Sequence, residues 1–358
     1  MSKAATGLSV SVQTRLNQHA RAIGADPNFV LARYAAERFL YRLSRSECAE
    51  RLVLKGAMLM LAWLGESIRP TRDIDFLGYG DLEPEALRAL LIAVCTTPVE
   101  PDGLEFHTET LRIDAIRAED DYGGWRATLR ATLGNARIPL QIDVGLGDAT
   151  VPEPEWIDYP GILDFPRAHI RAYCPETSIA EKVHAMVQLG EANSRMRDFF
   201  DIYALATHQR FELRDLATSL RATFEQRKTP LPPWPPLALT EAFWNSMSKQ
   251  QQWHGFVQRS ALAGAPCNCA TSSPRLHSFW SRHCERHAGR TIRSRCDGHP
   301  VGRGAKPKRP MDPLGSVPHR HVSFHTLRML SGPSVSHPFW DRSARASHLA
   351  HERCTPNR

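Results

Sequence analysis

Residues 69–80 read RPTRDIDFLGYG, and this stretch determines the predicted fold. Pro70 prevents a helix from continuing into it, and the alternation of polar and apolar residues over 72–77 predicts a β-strand. Alternate side chains of a strand point to the same face of a sheet. Asp73 and Asp75 are therefore expected to converge on one face.

This pair of carboxylates predicts a metal site. Two neighbouring carboxylates repel each other unless a cation lies between them. Their oxygen atoms suit Mg²⁺ or Mn²⁺, and such a site can hold one or two ions for in-line displacement at phosphorus. We predict that Asp73 and Asp75 bind the metal. The alternative is a solvated polar strand face, which is the commoner meaning of a lone Asp-x-Asp pattern.

A third carboxylate comes from the segment ARIPLQIDVGLGD at 136–148, the clearest strand in the sequence. Its apolar residues alternate with polar ones, so Gln141 and Asp143 face away from the core. A carboxylate across from the Asp-x-Asp pair is an arrangement that metal-dependent nucleotidyl transfer uses. Strand phase thus makes Asp143 a candidate third metal ligand.

Residues 52–64 are predicted to run from a short strand into a buried helix, with the turn at Gly56. Because a helix N-terminus favours anions, Lys55 and Gly56 are candidate contacts for a triphosphate. Thr71 and Arg72, with Arg69, flank the carboxylates, and Thr71 and Arg72 are further candidate contacts for the nucleotide. The alternative is that Gly56 is a simple turn glycine.

A second cluster lies in predicted helices. Glu181 and Lys182 occur in one, and NSRMRDFFDIYAL (193–205) forms the next. Asp198 and Asp201 are three residues apart and share a helical face. On this evidence alone, an amphipathic helix with ion pairs explains the cluster as well as a catalytic role does.

The remaining pattern predicts an α/β protein. Residues 8–50 are predicted to be helical, as are 83–95, 176–190, 194–208, 212–227 and 239–259; strands are predicted at 104–118 and 125–133, and 151–175 is a Pro-rich connection. We predict N-terminal helices over 1–48, a core over 49–160, a helical domain over 161–262, and a basic tail over 263–358.

Charge separates the tail from the body. The net charge is +7, but residues from Arg259 to Arg358 hold 17 Lys and Arg against 5 Asp and Glu, a balance of +12 that leaves −5 before them. The basicity therefore says little about the body. The sequence has no apolar run long enough to span a membrane, and its N-terminus lacks a signal-peptide pattern, so we expect a cytoplasmic protein.

The tail has no sustained hydrophobic periodicity, and it holds five of the eight cysteines. Our hypothesis is that it results from out-of-frame translation after Leu262. The alternative is a disordered basic arm, which could bind nucleic acid. A zinc site formed by Cys267, Cys269, Cys284 and His287 is disfavoured because these residues lack a recognised spacing.

Taken in order, several blocks from Phe29 to Leu262 resemble the AbiEii-like (AbiEii/AbiGii) nucleotidyl transferase toxin family. They are LVLKGAMLM, RPTRDIDFLG, IPLQIDVGLGD, YCPETSIAEKVHAMVQLGEANSRMRDFFDIYALA and SKQQQWHGFVQR. The resemblance implies a DNA-polymerase-β-like nucleotidyltransferase core, made of a small mixed sheet with flanking helices, followed by a C-terminal helical domain.

The resemblance also implies roles for residues. Asp73 and Asp75 would hold Mg²⁺ or Mn²⁺, and Thr71 stands where the family has Ser or Thr. Lys182 would contact the triphosphate, and Asp201 would position the acceptor or the lysine. The sequence departs from the pattern at Ala57, where Gly or Ser is frequent, and at Arg197, where Lys is frequent.

The implied activity is transfer of a nucleoside monophosphate from an NTP to RNA, in particular the 3′ end of tRNA. The implied partner is an antitoxin from an adjacent gene, in abortive infection or phage defence. An NTP-binding module and an inactive truncated remnant are the alternatives. The mildly acidic body does not itself indicate an RNA-binding face, but the N-terminal arginines are candidates for one: Arg15, Arg21, Arg33, Arg38, Arg42, Arg45, Arg51, Arg69 and Arg72.

Overall fold

The structure is a computed structural model, and it describes residues 3–65, 71–116, 123–233 and 235–260, with side chains from residue 7 onward. The tail that was predicted to be disordered or frameshift-derived, from residue 263, lies outside the described residues. In the described part, no helix combines the length and the apolar character that crossing a membrane requires.

The helices of the described residues agree in type with the predicted ones. They are α1 Lys3–Ile23, α2 Pro27–Arg45, α3 Met58–Leu64, α4 Pro84–Thr96, α5 Pro175–Leu189, α6 Met196–His208, α7 Leu213–Gln226, α8 Glu241–Asn245 and α9 Met247–Ser260. Short 3₁₀ helices occupy Gly190–Ala192 and Leu237–Leu239.

Two predicted helices are each divided in the structure. The helical region 8–50 breaks at Gly24, which has a φ of +66°, and α2 restarts with Asp26 as its N-cap and Pro27 in its first turn. The helix predicted over 239–259 breaks at Ser246, whose hydroxyl accepts a hydrogen bond from the Lys249 amide at 3.4 Å. Capping residues restart a helix at both places.

Seven strands form one mixed sheet in the described residues. They are β1 Leu52–Lys55, β2 Asp73–Gly78, β3 Leu104–Ile116, β4 Gly124–Leu133, β5 Ala136–Leu146, β6 Glu155–Asp158 and β7 His169–Ala172, in the order β3-β4-β5-β2-β1-β7-β6. The β2–β5 and β1–β7 pairs are parallel, and the other pairs are antiparallel.

Strands β6 and β7 correct the expectation that 151–175 is only a connection. Each has four residues, which is too short for alternation to distinguish a strand from a loop, and prolines surround both. They extend the sheet beyond β1, and β6 forms its edge.

The two faces of the sheet differ in polarity. One face is apolar and packs on α2 and α4; its buried residues include Ile74, Phe76, Ile142 and Val144. The opposite face carries the carboxylates of β2 and β5, as strand phase predicted. The apolar core thus fixes which way the polar residues point.

A second apolar cluster lies among the C-terminal helices. It includes the fully buried Trp244 and Trp253 together with residues of α5, α6 and α7. Met60 of α3 also belongs to it, although α3 directly follows β1 of the sheet. Helix α3 therefore connects the sheet to the helical region.

Candidate active site

The three predicted carboxylates lie next to one another on the polar face. In the parallel β2–β5 pair, Asp75 is opposite Asp143 and Asp73 is opposite Gln141. Neighbouring residues on paired strands share a face. The predicted placement of Asp143 beside the Asp-x-Asp pair is therefore confirmed, while its role as a metal ligand stays a prediction.

Gly56 forms the turn between β1 and α3, with a φ of +73°. A Cβ at this position would lie 2.7 Å from Cγ of Asp75, well inside van der Waals contact. Glycine is therefore required both for the backbone conformation and for the close approach of Asp75. The glycine that is a candidate triphosphate contact thus also makes room for the carboxylate of Asp75.

Lys55 lies directly opposite Asp75 in the antiparallel β1–β2 pair. Its Nζ donates hydrogen bonds to Asp148 and to Oε1 of Glu181, the latter at 3.1 Å. Burial works to lower the pKa of Lys55, but the charges of Glu181 and Asp148 outweigh it and raise the pKa. Lys55 is thus a stable cation beside the carboxylates.

Arg227, which directly follows α7 as its C-cap residue, completes this buried cluster. Its Nη2 donates to Oδ1 of Asp148 at 2.9 Å and lies 3.6 Å from Oε1 of Glu181. The Tyr173 hydroxyl donates to the same Glu181 oxygen at 3.2 Å. Burial acts to raise the pKa of Asp148, but Lys55 and Arg227 outweigh it and lower the pKa. These contacts join the sheet to α5 and α7.

Sequence reasoning assigned no role to Asp148, Tyr173, Glu181 or Arg227. They come together only in the folded chain, since Lys55 is 93 residues from Asp148 and 126 from Glu181. No local spacing could reveal such contacts.

Lys182 is held by two acids of α6. Its Nζ donates to Oδ1 of Asp198 at 3.0 Å and to Oδ2 of Asp201 at 2.8 Å. Asp201 is fully buried, and the side chain of Lys182 is 11% exposed. The shared helical face of the two acids is confirmed, and Asp201 is placed where it can position the lysine.

The electrostatics of Asp75 connect these groups. Burial raises its pKa, and Asp143 and Asp73 raise it further, whereas the charges of Lys55 and Lys182 act against the rise. Clustered carboxylates of this kind are stabilised by a cation. The oxygen atoms of Asp73 and Asp75 therefore fit Mg²⁺ or Mn²⁺.

The third carboxylate is engaged by Arg126 of β4. The guanidinium donates from Nε to Oδ1 of Asp143 at 2.9 Å and from Nη2 to Oδ2 at 2.7 Å. In the part of the chain that the structure describes, no group of three or more His, Cys, Asp or Glu is arranged to hold a metal ion. The fit to a metal thus rests on Asp73 and Asp75.

The residues just before β2 are less closely tied to the site. Thr71 is half-buried, and the exposed Arg72 places Nη2 3.5 Å from Oδ2 of Asp26, at the start of α2. Their contacts with a nucleotide stay predictions. Arg69 lies outside the described residues.

The expectation of an RNA-binding face along α2 is wrong for three of its arginines. Arg33, Arg38 and Arg42 are at most 8% exposed, and they pair with Glu37 and Asp102 inside the protein. They lie inside because α2 is enclosed along most of its length, which the local sequence does not indicate.

Comparison with known proteins identifies the family. Residues 38–280 match the family described as "Nucleotidyl transferase AbiEii toxin, Type IV TA system". The match continues past Leu262, where the resemblance was expected to end. No curated protein matches the chain.

Two solved structures from Helicobacter pylori are similar to this chain, each at 18% identity. One is the crystal structure of JHP933, with a TM-score of 0.43 over 72% of this chain and 92% of that chain. The other is a candidate nucleotidyltransferase, with a TM-score of 0.42 over 70% of this chain and 92% of that chain.

The carboxylates gathered beside two largely buried lysines fit the nucleotidyltransferase class that the family match identifies. Because the family match covers more than half of the chain, the protein belongs to the AbiEii nucleotidyl transferase toxin family of type IV toxin–antitoxin systems. The family supports nucleotidyltransferase activity, with an NTP and a divalent metal in general use and an antitoxin as partner.

Proposed function

We propose that the protein transfers a nucleoside monophosphate from an NTP to a 3′-hydroxyl of RNA, in particular the 3′-terminal hydroxyl of tRNA. The observation that carries this proposal is the convergence of Asp73 and Asp75 with Lys55 on one sheet face, with the charge of Lys182 acting on Asp75. Anionic and cationic groups are thus available for a metal–triphosphate substrate.

In the proposed reaction, the acceptor hydroxyl oxygen forms a bond to the α-phosphorus. The bond from that phosphorus to the oxygen bridging to the β-phosphorus breaks, pyrophosphate leaves, and the hydroxyl proton passes to water. Mg²⁺ or Mn²⁺ held by Asp73 and Asp75 would offset the charge that develops on the phosphate oxygens.

The other side chains bind and orient the substrate. Lys182 contacts the triphosphate as a point charge, and Asp201 holds its ammonium group in place. Lys55 supplies a second cation at the turn, where Gly56 keeps the backbone free of a side chain. Thr71 and Arg72 directly precede β2 and are proposed to contact the nucleotide.

The proposed biological role is growth arrest by modified tRNA in the cytoplasm, relieved by an antitoxin encoded by an adjacent gene. Such a toxin would serve in abortive infection and phage defence. The family supports the antitoxin partner. The RNA acceptor rests on the family resemblance, and the carboxylates of the site fit the transfer chemistry itself.

The test uses the purified full chain, tRNA, each α-labelled NTP in turn, and Mg²⁺ or a chelator. Intact tRNA is compared with tRNA whose 3′-terminal ribose has been oxidised by periodate. We expect label on intact tRNA with one NTP, and none with oxidised tRNA or with chelator. Label on both tRNAs would contradict the 3′-hydroxyl acceptor, and NTP binding without label would favour an NTP-binding module.

A further inference from the structure

Arg126 lies in a row of charged residues that crosses the polar face of the sheet. Strand register places Asp114 of β3 opposite Arg126, Arg126 opposite Asp143, and Asp143 opposite Asp75. Side chains opposite each other on neighbouring strands come within about 5 Å at their Cβ atoms. Arg126 therefore has an acid on each side, and one of them belongs to the carboxylate cluster.

In the structure, Arg126 is paired with Asp143. Both oxygens of Asp143 accept from the guanidinium, at 2.9 and 2.7 Å, and Nε2 of Gln141 approaches Oδ2 at 3.4 Å. A bidentate pairing of this kind is strong, and it occupies one acceptor direction on each carboxylate oxygen. The guanidinium thus competes for Asp143 with the cation that Asp73 and Asp75 are suited to hold.

This ion pair is one that can open. The side chain of Arg126 is 46% exposed and that of Asp143 17%, whereas the Lys182–Asp201 pair is 11% and 0% exposed. Ion pairs open to water contribute little net stability because water competes for both partners. The exposed Asp114 offers the guanidinium a second partner on the adjacent strand.

We propose that Arg126 is a positioning residue that competes with a divalent cation for Asp143 and moves toward Asp114 when the cation takes that carboxylate. The inference rests on the proposed function, in which this sheet face binds the metal. The inference adds a regulatory step to that function, because the number of carboxylates available to the metal depends on the position of the Arg126 side chain.

The test is Mn²⁺ binding to the full chain, measured from the electron paramagnetic resonance signal of free Mn²⁺, without substrate. Arg126→Ala should bind Mn²⁺ roughly fivefold more tightly than the wild type, since Asp143 is released. Arg126→Lys keeps the charge but loses the planar fork, and should lie between the two. Arg130→Ala, an exposed arginine on the same face of β4, controls for the loss of one positive charge.

The decisive comparison repeats Arg126→Ala in an Asp143→Asn background. If Arg126 acts through Asp143, its removal should then change Mn²⁺ affinity no more than Arg130→Ala does. An equal gain with and without Asp143, or a gain in Arg126→Ala no larger than in Arg130→Ala, would overturn the proposal.

A further pair of variants tests the second position. Asp114→Asn should weaken Mn²⁺ binding more than Glu105→Gln, an exposed acid on the same face of β3, because Arg126 loses its alternative partner. Equal effects would contradict movement toward Asp114.

The proposed metal site can fail separately. If Asp73→Asn binds Mn²⁺ with the affinity of the wild type, the proposed metal site is contradicted. Absence of binding in both the wild type and Arg126→Ala would contradict the site and this inference together.

Discussion

The backbone of Gly56 packs against the carboxylate of Asp75. The glycine adopts a φ of +73°, and a Cβ there would meet the Asp75 side chain, with 2.7 Å to its Cγ. The turn after β1 and the second acid of the Asp-x-Asp pair therefore pack in direct contact. Any side chain at position 56 has to displace Asp75.

Gly56→Ala should consequently lose transfer activity and Mn²⁺ binding. Gly24→Ala is the matched control, since Gly24 also has a positive φ, of +66°, but nothing lies within 4 Å of its Cβ position. Both variants should lose roughly 1–2 kcal/mol of unfolding free energy from the left-handed backbone, measured by urea unfolding. Normal activity in Gly56→Ala would show that Asp75 can move without consequence.

Lys182 and Asp201 should behave as a coupled pair. Lys182→Met leaves the fully buried Asp201 without this cation, and we expect a loss of about 3 kcal/mol of unfolding free energy. Adding Asp201→Asn should restore part of that stability, because the buried charge is gone, but no transfer activity. A double variant that transfers nucleotide would contradict the role of Lys182.

Arg227→Ala should loosen the junction between α7 and the sheet. The variant removes the 2.9 Å bond to Asp148, for an expected cost of roughly 2 kcal/mol in unfolding free energy. Hydrogen exchange should also become faster over residues 147–151, which α7 contacts through Gln226 and Ser219. Arg221→Ala, an exposed arginine of the same helix, is the control and should change neither measurement.

Glu37 should make stability depend on pH. Burial raises its pKa to about 7, with Arg33 acting in the opposite direction, so the folded state favours the protonated carboxyl. The stabilisation is complete below the unfolded pKa of about 4.5 and is lost as pH rises through about 7, up to about 3 kcal/mol in all. Urea unfolding should be measured at roughly pH 5 and pH 7.5. Between these values, Glu37→Gln should lose less unfolding free energy than the wild type. Parallel pH profiles for the two proteins would contradict this.

Local patterns predicted the part of the site that depends on strand phase and helix period. The alternation in β5 put Asp143 on the polar face that Asp75 shares, and the three-residue spacing in α6 put Asp198 and Asp201 on one helical face. In both cases the face on which a side chain lies follows from the period of a single strand or helix, which can be read from the sequence.

Contacts between distant segments could not be predicted in this way. The cluster of Lys55 with Asp148, Glu181 and Arg227 depends on how four elements pack, and Arg126 appears in the sequence as one more strand arginine. The prediction that arginines of α2 form an RNA-binding face was wrong for the same reason. Their burial depends on Glu37 and Asp102, and Asp102 lies 64 residues from Arg38.

The central claim is that Asp73 and Asp75 carry nucleotidyl transfer, and labelling of tRNA by an α-labelled NTP tests it most directly. Wild type, Asp73→Asn, Asp75→Asn and Asp215→Asn, an exposed acid of α7, should be compared at matched folding by circular dichroism. We predict label with the wild type and Asp215→Asn, and none with the two β2 variants. Label at the wild-type rate from folded Asp73→Asn or Asp75→Asn would contradict the account.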